Sequence, residues 1–278
     1  MDLSAVIVNW NSGACLGSLL ASLEPLEKEL NGIWVVDNAS TDASLEGVDS
    51  GVQVLALAEN RGFAGGSNEG ISRAGSRFVL LLNPDVIVAP NTVRGLYREI
   101  ERRPEAAIVC PSLRDAGGGD QLRFQIRPFP TWRSVLSDAL FLDELMERLG
   151  LGKAPSNLEN TVGEARLAGQ QPAAAAWLLR REAWEELGGF DVQFHPAWFE
   201  DVDFCRRLAD SRWEIFYFPG LFLTHQGGHT LDRLGRAAFL EIFYGNLLRY
   251  LKKHHPRSYP FLWLPVRCGV WLRRLLVV

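Results

Sequence analysis

The chain has 278 residues, 47% hydrophobic and 22% charged, which suits a globular protein with a substantial core in one or two domains; its net charge of −4 gives no reason to expect nucleic acid as a partner. Cys15, Cys110, Cys205 and Cys268 stand far apart with no metal-ligand spacing, which points to a reducing, cytoplasmic setting and away from a disulfide framework. Met1-Asp2-Leu3-Ser4 lacks a basic, then apolar, secretory leader, and the apolar end from Tyr259 to Val278 is broken by Pro260, Pro265 and arginines, so neither a signal peptide nor a spanning helix is expected.

In chain order, Ala5-Val6-Ile7-Val8 reads as a first buried strand, closed by Asn9-Trp10-Asn11. Leu16, Leu19, Leu20 and Leu23 then recur at helical spacing. Ile33 to Val36 is a second strand, Val52 to Leu57 a third, Phe78 to Leu82 a fourth, and Ala106 to Cys110 a fifth. A helix is expected over Asn91 to Arg102. Apolar strands alternating with helices imply a mostly parallel sheet, Rossmann-like, with helices on both faces. From Ser112 to Gln171 the periodicity dissolves, apart from helix near Ser134 to Leu149. Order returns with a strand over Ala173 to Leu179, a helix over Arg181 to Leu187 and a strand near Glu214 to Phe218.

The polar clusters after the first, second and fourth strands fall at the carboxyl ends of those strands, where open α/β sheets bind ligands. Asp37, followed by Asn38, Ser40 and Thr41, reads either as an Asx-type turn or as a base reader, because a carboxylate only accepts and suits a ring with a donor edge such as uracil, thymine or guanine. Asn60-Arg61-Gly62-Phe63-Ala64-Gly65-Gly66-Ser67-Asn68-Glu69-Gly70 is a glycine-rich loop entering a helix. It is third in order and lacks Gly-x-Gly, which argues against a nicotinamide site and leaves close backbone approach to a nucleotide. Asn83-Pro84-Asp85 leaves one carboxylate at the sheet edge, as a plain strand exit or as a ligand for Mg²⁺ or Mn²⁺ together with diphosphate oxygens. His225-Gln226-Gly227-Gly228-His229 has zinc-protease spacing but carries Gln where the base must stand, and two glycines disfavour the helix.

The densest chemistry lies at Trp198-Phe199-Glu200-Asp201-Val202-Asp203. Three carboxylates stand within four residues, where aromatic residues give way to a helical pattern marked by Phe204 and Leu208. Acids complement a helix N-terminus, but the aromatic wall before them also suits a pocket in which a base meets an organic substrate.

In this order, Val6 to Asn11, Val35 to Asp42, Glu59 to Asn68, Leu82 to Asp85, Arg180-Arg181-Glu182-Ala183, Gly188-Gly189-Phe190-Asp191 and Phe199 to Asp203 with Cys205-Arg206-Arg207 resemble a family 2 inverting glycosyltransferase of the GT-A fold, in its rhamnosyltransferase-like branch. The resemblance covers most of residues 3 to 230. It implies nucleotide contacts from Val8, Asn9, Asp37, Asn38, Asn60, Gly65, Asn68 and Asn83, with Asp37 reading a pyrimidine. Asp85 would bind Mg²⁺ or Mn²⁺ and His225 the metal or the diphosphate. Asp201 would be the catalytic base beside Glu200, with Trp198, Phe199 and Asp203 on the acceptor side. The implied donor is dTDP-rhamnose or a UDP-sugar, and the implied acceptor a lipid-linked or other glycan. Two departures stand out: Asn83 replaces the first Asp of the family's Asp-x-Asp motif, and Ala173-Ala174 stand where a Gly is frequent.

The expected organisation is a transferase domain over 1–240, with a nucleotide-binding half at 1–110 and an acceptor and catalytic half at 111–240, followed by a basic amphipathic extension at 241–278. After Glu241 there is no acidic residue, whereas Arg249, Lys252, Lys253, Arg257, Arg267, Arg273 and Arg274 follow among tyrosines and tryptophans. That composition fits a peripheral enzyme on an anionic cytoplasmic membrane surface, or a terminal helix with a solvated basic face. A non-catalytic sugar-nucleotide or glycan-binding module, or a scaffold subunit of an envelope-assembly complex, is the competing class.

Overall fold

The structure is a computed structural model describing residues 1–150, 164–227 and 234–275. Its elements in order are β1 (Leu3–Asn9), α1 (Ala14–Leu23), β2 (Gly32–Asp37), β3 (Gln53–Ala56), α2 (Gly62–Ala74), β4 (Phe78–Leu82), β5 (Val86–Ile87), α3 (Pro90–Arg102), β6 (Ala106–Arg114), α4 (Leu122–Gln125), β7 (Ile126–Pro128), α5 (Trp132–Ala139) and α6 (Leu142–Arg148). Then come β8 (Ala165–Arg166), β9 (Gln170–Pro172), β10 (Ala176–Arg180), α7 (Arg181–Glu186), α8 (Glu200–Ala209), β11 (Glu214–His225), α9 (Arg236–His254) and α10 (Tyr259–Leu275).

The main sheet runs β3-β2-β1-β4-β10-β6-β11-β5, with β8 on β11. β1, β2, β3 and β4 are mutually parallel, β10 is antiparallel to β4 and β6, and β11 is parallel to β6. The carboxyl ends of β1, β2, β4 and β11 and the start of β10 therefore share one edge. Both faces of the sheet are covered. Leu16, Leu19 and Leu23 of α1 and Val93, Leu96 and Ile100 of α3 pack on one side. Ile71 of α2, Ala183 of α7, and Phe204 and Leu208 of α8 pack on the other. A third core joins α5, α9 and α10 to the start of α8 through Val135, Phe199, Val202, Leu247, Leu251 and Val266.

Several expectations shift in detail. β3 is an edge strand with mostly exposed side chains, although its apolar run reads as buried. The strand expected over Ala173 to Leu179 starts at Ala176, while Gln170–Pro172 pairs with Ile126–Pro128 in a separate two-stranded sheet. β11 continues to His225, past a register shift between Phe218 and Phe222 that absorbs Pro219, Gly220 and Leu221. The helix near Ser134 to Leu149 is split into α5 and α6. The glycine-rich stretch is not a loop: α2 begins at Gly62, so Gly65, Gly66 and Gly70 are helical. They let α2 lie close on the sheet, because a Cβ at Gly66 would stand 2.7 Å from Val8 and one at Gly70 2.5 Å from Val6.

Candidate active site

A cavity of about 450 Å³ opens at the shared strand edge. Val8, Asn38, Asn60, Asn83, Asp85 and the Ala173-Ala174-Ala175 run line it from the sheet side; Trp198, Glu200, Asp201, Phe239 and Phe243 line it from the other. A more open concavity, formed by Asp120 to Phe124 and His225 to Gly227, meets it at Phe124.

On the sheet side the polar residues are tied into one network. Asn9 donates from Nδ2 to Asp37 Oδ1 at 2.8 Å and to Ser44 at 2.9 Å, and its Oδ1 accepts from Ser12. Ser40 N donates to Asp37 Oδ2 at 3.1 Å, closing the Asx-type turn. Asn38 bridges to the next segment, accepting from Arg61 N and donating to Gly62 O. Asn9 and Asp37 are buried behind the cavity wall that Val8 and Asn38 present. Asn68 and Gly65 do not line the cavity. Asn68 accepts from Phe190 N at 2.9 Å and donates to Phe190 O at 2.8 Å, holding the Gly-Gly-Phe turn against α2. Gly65 faces the side chain of Arg61, its own preceding turn.

Asp85 and His225 are brought together by the antiparallel pairing of β5 with β11, with Nε2 and Oδ1 3.5 Å apart. Gln121 fixes the imidazole from behind. Its amide donates to His225 O at 2.9 Å, so its oxygen is the atom 2.8 Å from Nδ1, which must therefore carry a proton. Phe124 stacks on the ring at 5.4 Å. Nε2 is thus the nitrogen turned toward Asp85, whose buried Oδ1 accepts no hydrogen bond among the described residues. A carboxylate oxygen and an imidazole nitrogen converging in this way suit a divalent cation, with the second ring nitrogen held as metal-bound histidines usually are. Among the described residues no group of three or more His, Cys, Asp or Glu surrounds this point, so further ligands would have to come from elsewhere, diphosphate oxygens included. Gly228 and His229 lie outside the described residues.

Across the cavity stand Glu200 and Asp201, in the first turn of α8 and both buried. Asp201 accepts from Val202 N at 2.8 Å and from Ala174 N at 3.3 Å, so one carboxylate spans α8 and the segment leading into β10. Glu200 Oε2 accepts no hydrogen bond among the described residues. Burial pushes Glu200 well above the usual carboxylate range, and the charge of Asp201 pushes it further. Burial raises Asp201 as well, opposed by the charge of Arg127 and by the two N–H groups. Glu200 is therefore the member of the pair that holds a proton more readily, and Asp201 the one kept anionic.

Asp203 has a different environment. It is fully buried, does not line the cavity, and is bonded to Arg207, Lys253 and His254. Phe199 likewise turns away, packing on Phe243 and Tyr250. Of the three residues expected on the acceptor side, only Trp198 lines the cavity.

Three residues near the site carry no sequence motif. Gln121 and Arg127 lie in the stretch without periodicity, where nothing singles them out. Asn246 does leave a trace, as a polar residue beside Leu247 and Leu248 in an aromatic and aliphatic helix.

The glycosyl transferase family 2 profile matches residues 4–154, just over half of the chain. An N-acetylglucosaminyl-diphospho-decaprenol L-rhamnosyltransferase of Mycobacterium tuberculosis is 25% identical over 279 aligned positions, covering 94% of this chain and 83% of the relative. Rhamnosyltransferase WbbL of Escherichia coli K12 is 26% identical over 63% of this chain and 62% of its own. Among solved structures, mannosyltransferase PcManGT from Pyrobaculum calidifontis, in complex with GDP-Man and Mn²⁺, superposes with a TM-score of 0.58 at 15% identity, over 97% of this chain and 69% of that one. Staphylococcus aureus TarS 1-349 with UDP-GlcNAc gives 0.57 at 16% identity, over 89% and 65%. These structures share the sheet and helix layout described above, which is the GT-A fold. The chain belongs to glycosyl transferase family 2 and is a glycosyltransferase of that fold.

Proposed function

We propose that this glycosyltransferase moves a sugar, rhamnose in the favoured reading, from a nucleoside-diphosphate donor to a lipid-linked or other glycan acceptor in cell-envelope polysaccharide synthesis, with inversion at the anomeric carbon. The observation that carries the catalytic reading is the buried Glu200–Asp201 pair facing Asn83 and Asp85 across one cavity. The names of the two curated relatives support the sugar and the acceptor class.

Asp201 is assigned as the base. It takes the proton of an acceptor hydroxyl while that oxygen attacks the anomeric carbon, and the bond to the diphosphate breaks on the opposite face. Its two backbone donors orient the carboxylate, and its burial strengthens it as a base relative to an exposed aspartate. Glu200, holding a proton more readily, leaves the negative charge of the pair on Asp201. Asp85 and His225 would hold Mg²⁺ or Mn²⁺, which would offset charge on the leaving diphosphate. Val8, Asn38, Asn60 and Asn83 are assigned to the donor. Asp37 is assigned to the pyrimidine edge through the lone pairs left beyond its bonds from Asn9 and Ser40; because it lies behind Val8 and Asn38, the base would have to pass those two residues to reach it. Asn9, Gly65 and Asn68 are assigned to holding the donor wall together, Phe199 and Asp203 to holding α8, and Trp198 to the acceptor. The boundary expected at 240/241 falls inside α9, whose inner face packs on the start of α8, so in this reading the transferase unit runs through α9 and the extension is α10.

Nucleoside diphosphate release measured across dTDP-, UDP- and GDP-sugars tests the reaction. Turnover is expected with dTDP-rhamnose first and a UDP-sugar second, and loss of turnover in excess EDTA. Release from GDP-mannose alone would overturn the donor assignment. Nucleotide binding without turnover of any donor would favour the non-catalytic module.

We further propose a peripheral position on the cytoplasmic face of an anionic membrane. No helix among the described residues is long and apolar enough to cross a membrane. α10 instead exposes Phe261, Trp263, Leu264, Trp271 and Leu272, and beside it α5 and α6 expose Trp132 and Leu145. Much of the basic content is engaged internally: Arg267 and Arg274 pair with Glu241, and Arg273 with Asp138. Apolar and aromatic contact should therefore dominate over charge. Sedimentation with anionic vesicles is expected to persist at high salt and to be lost in a Phe261→Ser, Trp271→Ser double variant; equal pelleting of the two proteins would remove α10 as the contact, and no pelleting of the wild type would remove the membrane from this reading.

A further inference from the structure

We propose that Asn246, on the C-terminal helix α9, is a positioning residue of the transferase reaction: its amide holds the turn that presents Glu200 and Asp201 to the cavity. The proposal rests on the catalytic reading of that pair.

The turn is a strained one. Trp198 and Phe199 both have left-handed backbone, with φ of 68° and 77°, immediately before the first helical residue of α8. Bulky residues disfavour that region, and two in succession persist only where the surroundings impose them. Phe199 occupies the N-cap position without a capping side chain, so local sequence does not set the entry angle of the helix.

Asn246 supplies the external constraint. It is fully buried, and its Nδ2 lies 2.8 Å from Ala197 O, 3.1 Å from Trp198 O and 3.2 Å from Phe194 O. Two amide protons thus serve three carbonyl oxygens of one turn, one of them shared. The orientation of the amide is fixed, because Arg249 donates to its oxygen and leaves the NH₂ group to face the turn. A further carbonyl of the turn, that of Pro196, accepts from Phe63 N at 2.9 Å, so the turn is held between α2 and α9.

The same stretch of α9 continues the grip. Tyr250, four residues on, packs its ring on Phe199 at 5.8 Å. Lys253 and His254, a further turn on, each reach Asp203 at 2.7 Å. Asn246, Tyr250 and His254 recur at i, i+4, i+8, so a single helical stripe contacts the turn, its N-cap residue and the fourth residue inside α8. Within this stripe only Asn246 bonds to the strained backbone itself, and neither it nor the stripe lines the cavity. Asn246 therefore acts through the orientation of Glu200 and Asp201.

The test compares Asn246→Asp, which keeps the shape but replaces the NH₂ donor with an oxygen facing three carbonyls, with Asn246→Ser and the wild type. Turnover and nucleotide-sugar binding are measured well below the melting temperature, alongside Asp201→Asn. A misplaced catalytic group should lower kcat by roughly tenfold or more in Asn246→Asp, while donor Kd stays within about threefold, because the donor wall is built from the strand ends. Hydrogen exchange in the 194–203 peptide should rise, with β1 and β2 unaffected. Should Asn246→Asp not fold, Asn246→Ser carries the same comparison. A variant that melts earlier yet keeps wild-type kcat per native molecule would reduce Asn246 to a stability residue and overturn the proposal. Loss of activity in Asp201→Asn combined with an unaffected Asn246 series would sink this inference alone; full activity in Asp201→Asn would sink the catalytic reading beneath it.

Discussion

The two walls of the cavity are built in opposite ways. The sheet wall is a set of residues at strand ends, Val8, Asn38 and Asn83, placed there by the pairing of β1 with β2 and β4, with Asn38 further tied to Arg61 and Gly62 at the start of α2. The helix wall is one turn with two left-handed residues, and it takes its shape from a helix about fifty positions later in the chain. A sheet edge is set by register, and register is set by the hydrophobic pattern. A strained turn is set by whatever packs on it. Damage on the sheet side should therefore appear in binding, and damage on the helix side in rate.

The sharpest break of that contrast is at the acid pair. Asp201→Asn is expected to leave donor affinity near wild type and to lower kcat by about a hundredfold or more, roughly 2.7 kcal/mol of transition-state stabilisation. Glu200→Gln keeps the neutral form that Glu200 favours and should cost less. Steady-state kinetics with isothermal titration of the donor reads both. A larger loss of kcat for Glu200→Gln than for Asp201→Asn would exchange their roles.

Asp203 sharpens the comparison from within the same helical turn. Burial would raise its pKa, but hydrogen bonds from His254 and Lys253 and the charge of Arg207 outweigh burial and hold the carboxyl below its usual range. A lowered folded pKa gives stability that is present above the unfolded value near 4 and is lost as the pH falls through the folded one. Asp203→Asn leaves two cations, Arg207 and Lys253, and the His254 ring around a neutral amide, at a cost of about 2–3 kcal/mol at neutral pH, the scale for breaking a buried ion pair allowing for partly exposed partners. Denaturant unfolding should show the variant converging on the wild type in acid. A constant gap down to strongly acidic pH would remove the ion cluster as its cause.

How much of this was legible in the sequence follows the same division. The strand ends Asn9, Asp37, Asn83 and Asp85 are readable because each terminates an apolar run, and the order of the motifs carries the GT-A fold. The acids at 200, 201 and 203 are readable as a cluster, but their separation into a cavity pair and a buried ion cluster is not. Period-3.6 spacing places residues on a helix without saying which neighbour packs on each face. The glycines of α2 mislead for a similar reason. Gly66 and Gly70 read as room for a ligand, and the room is taken by Val8 and Val6. Gln121 and Arg127 act through a contact across 104 positions and through charge, beyond the reach of any local pattern, and the pattern around Asn246 marks it as polar in an apolar helix without saying that its partners lie 48 to 52 positions away.

The smallest expected effect concerns the pH slope of stability, and its sign separates the two kinds of acid in α8. Glu200 has a folded pKa above its unfolded value, through burial first and the charge of Asp201 second. Between those two values the native state holds a proton that the unfolded chain has released, so stability is full below the unfolded pKa and falls as the pH rises toward the folded one. This is the reverse of Asp203. Glu200→Gln removes the titration, and the variant should therefore gain on the wild type as the pH rises from about 4.5 toward neutrality, while Asp203→Asn loses ground over the acidic range just below it. The gain is the usual companion of a buried acid kept for activity at a cost in stability. Chemical denaturation of the three proteins across that range decides it. Parallel curves for Glu200→Gln and wild type would mean that Glu200 titrates alike in the folded and unfolded states, and that the burial of the cavity pair does not govern its protonation.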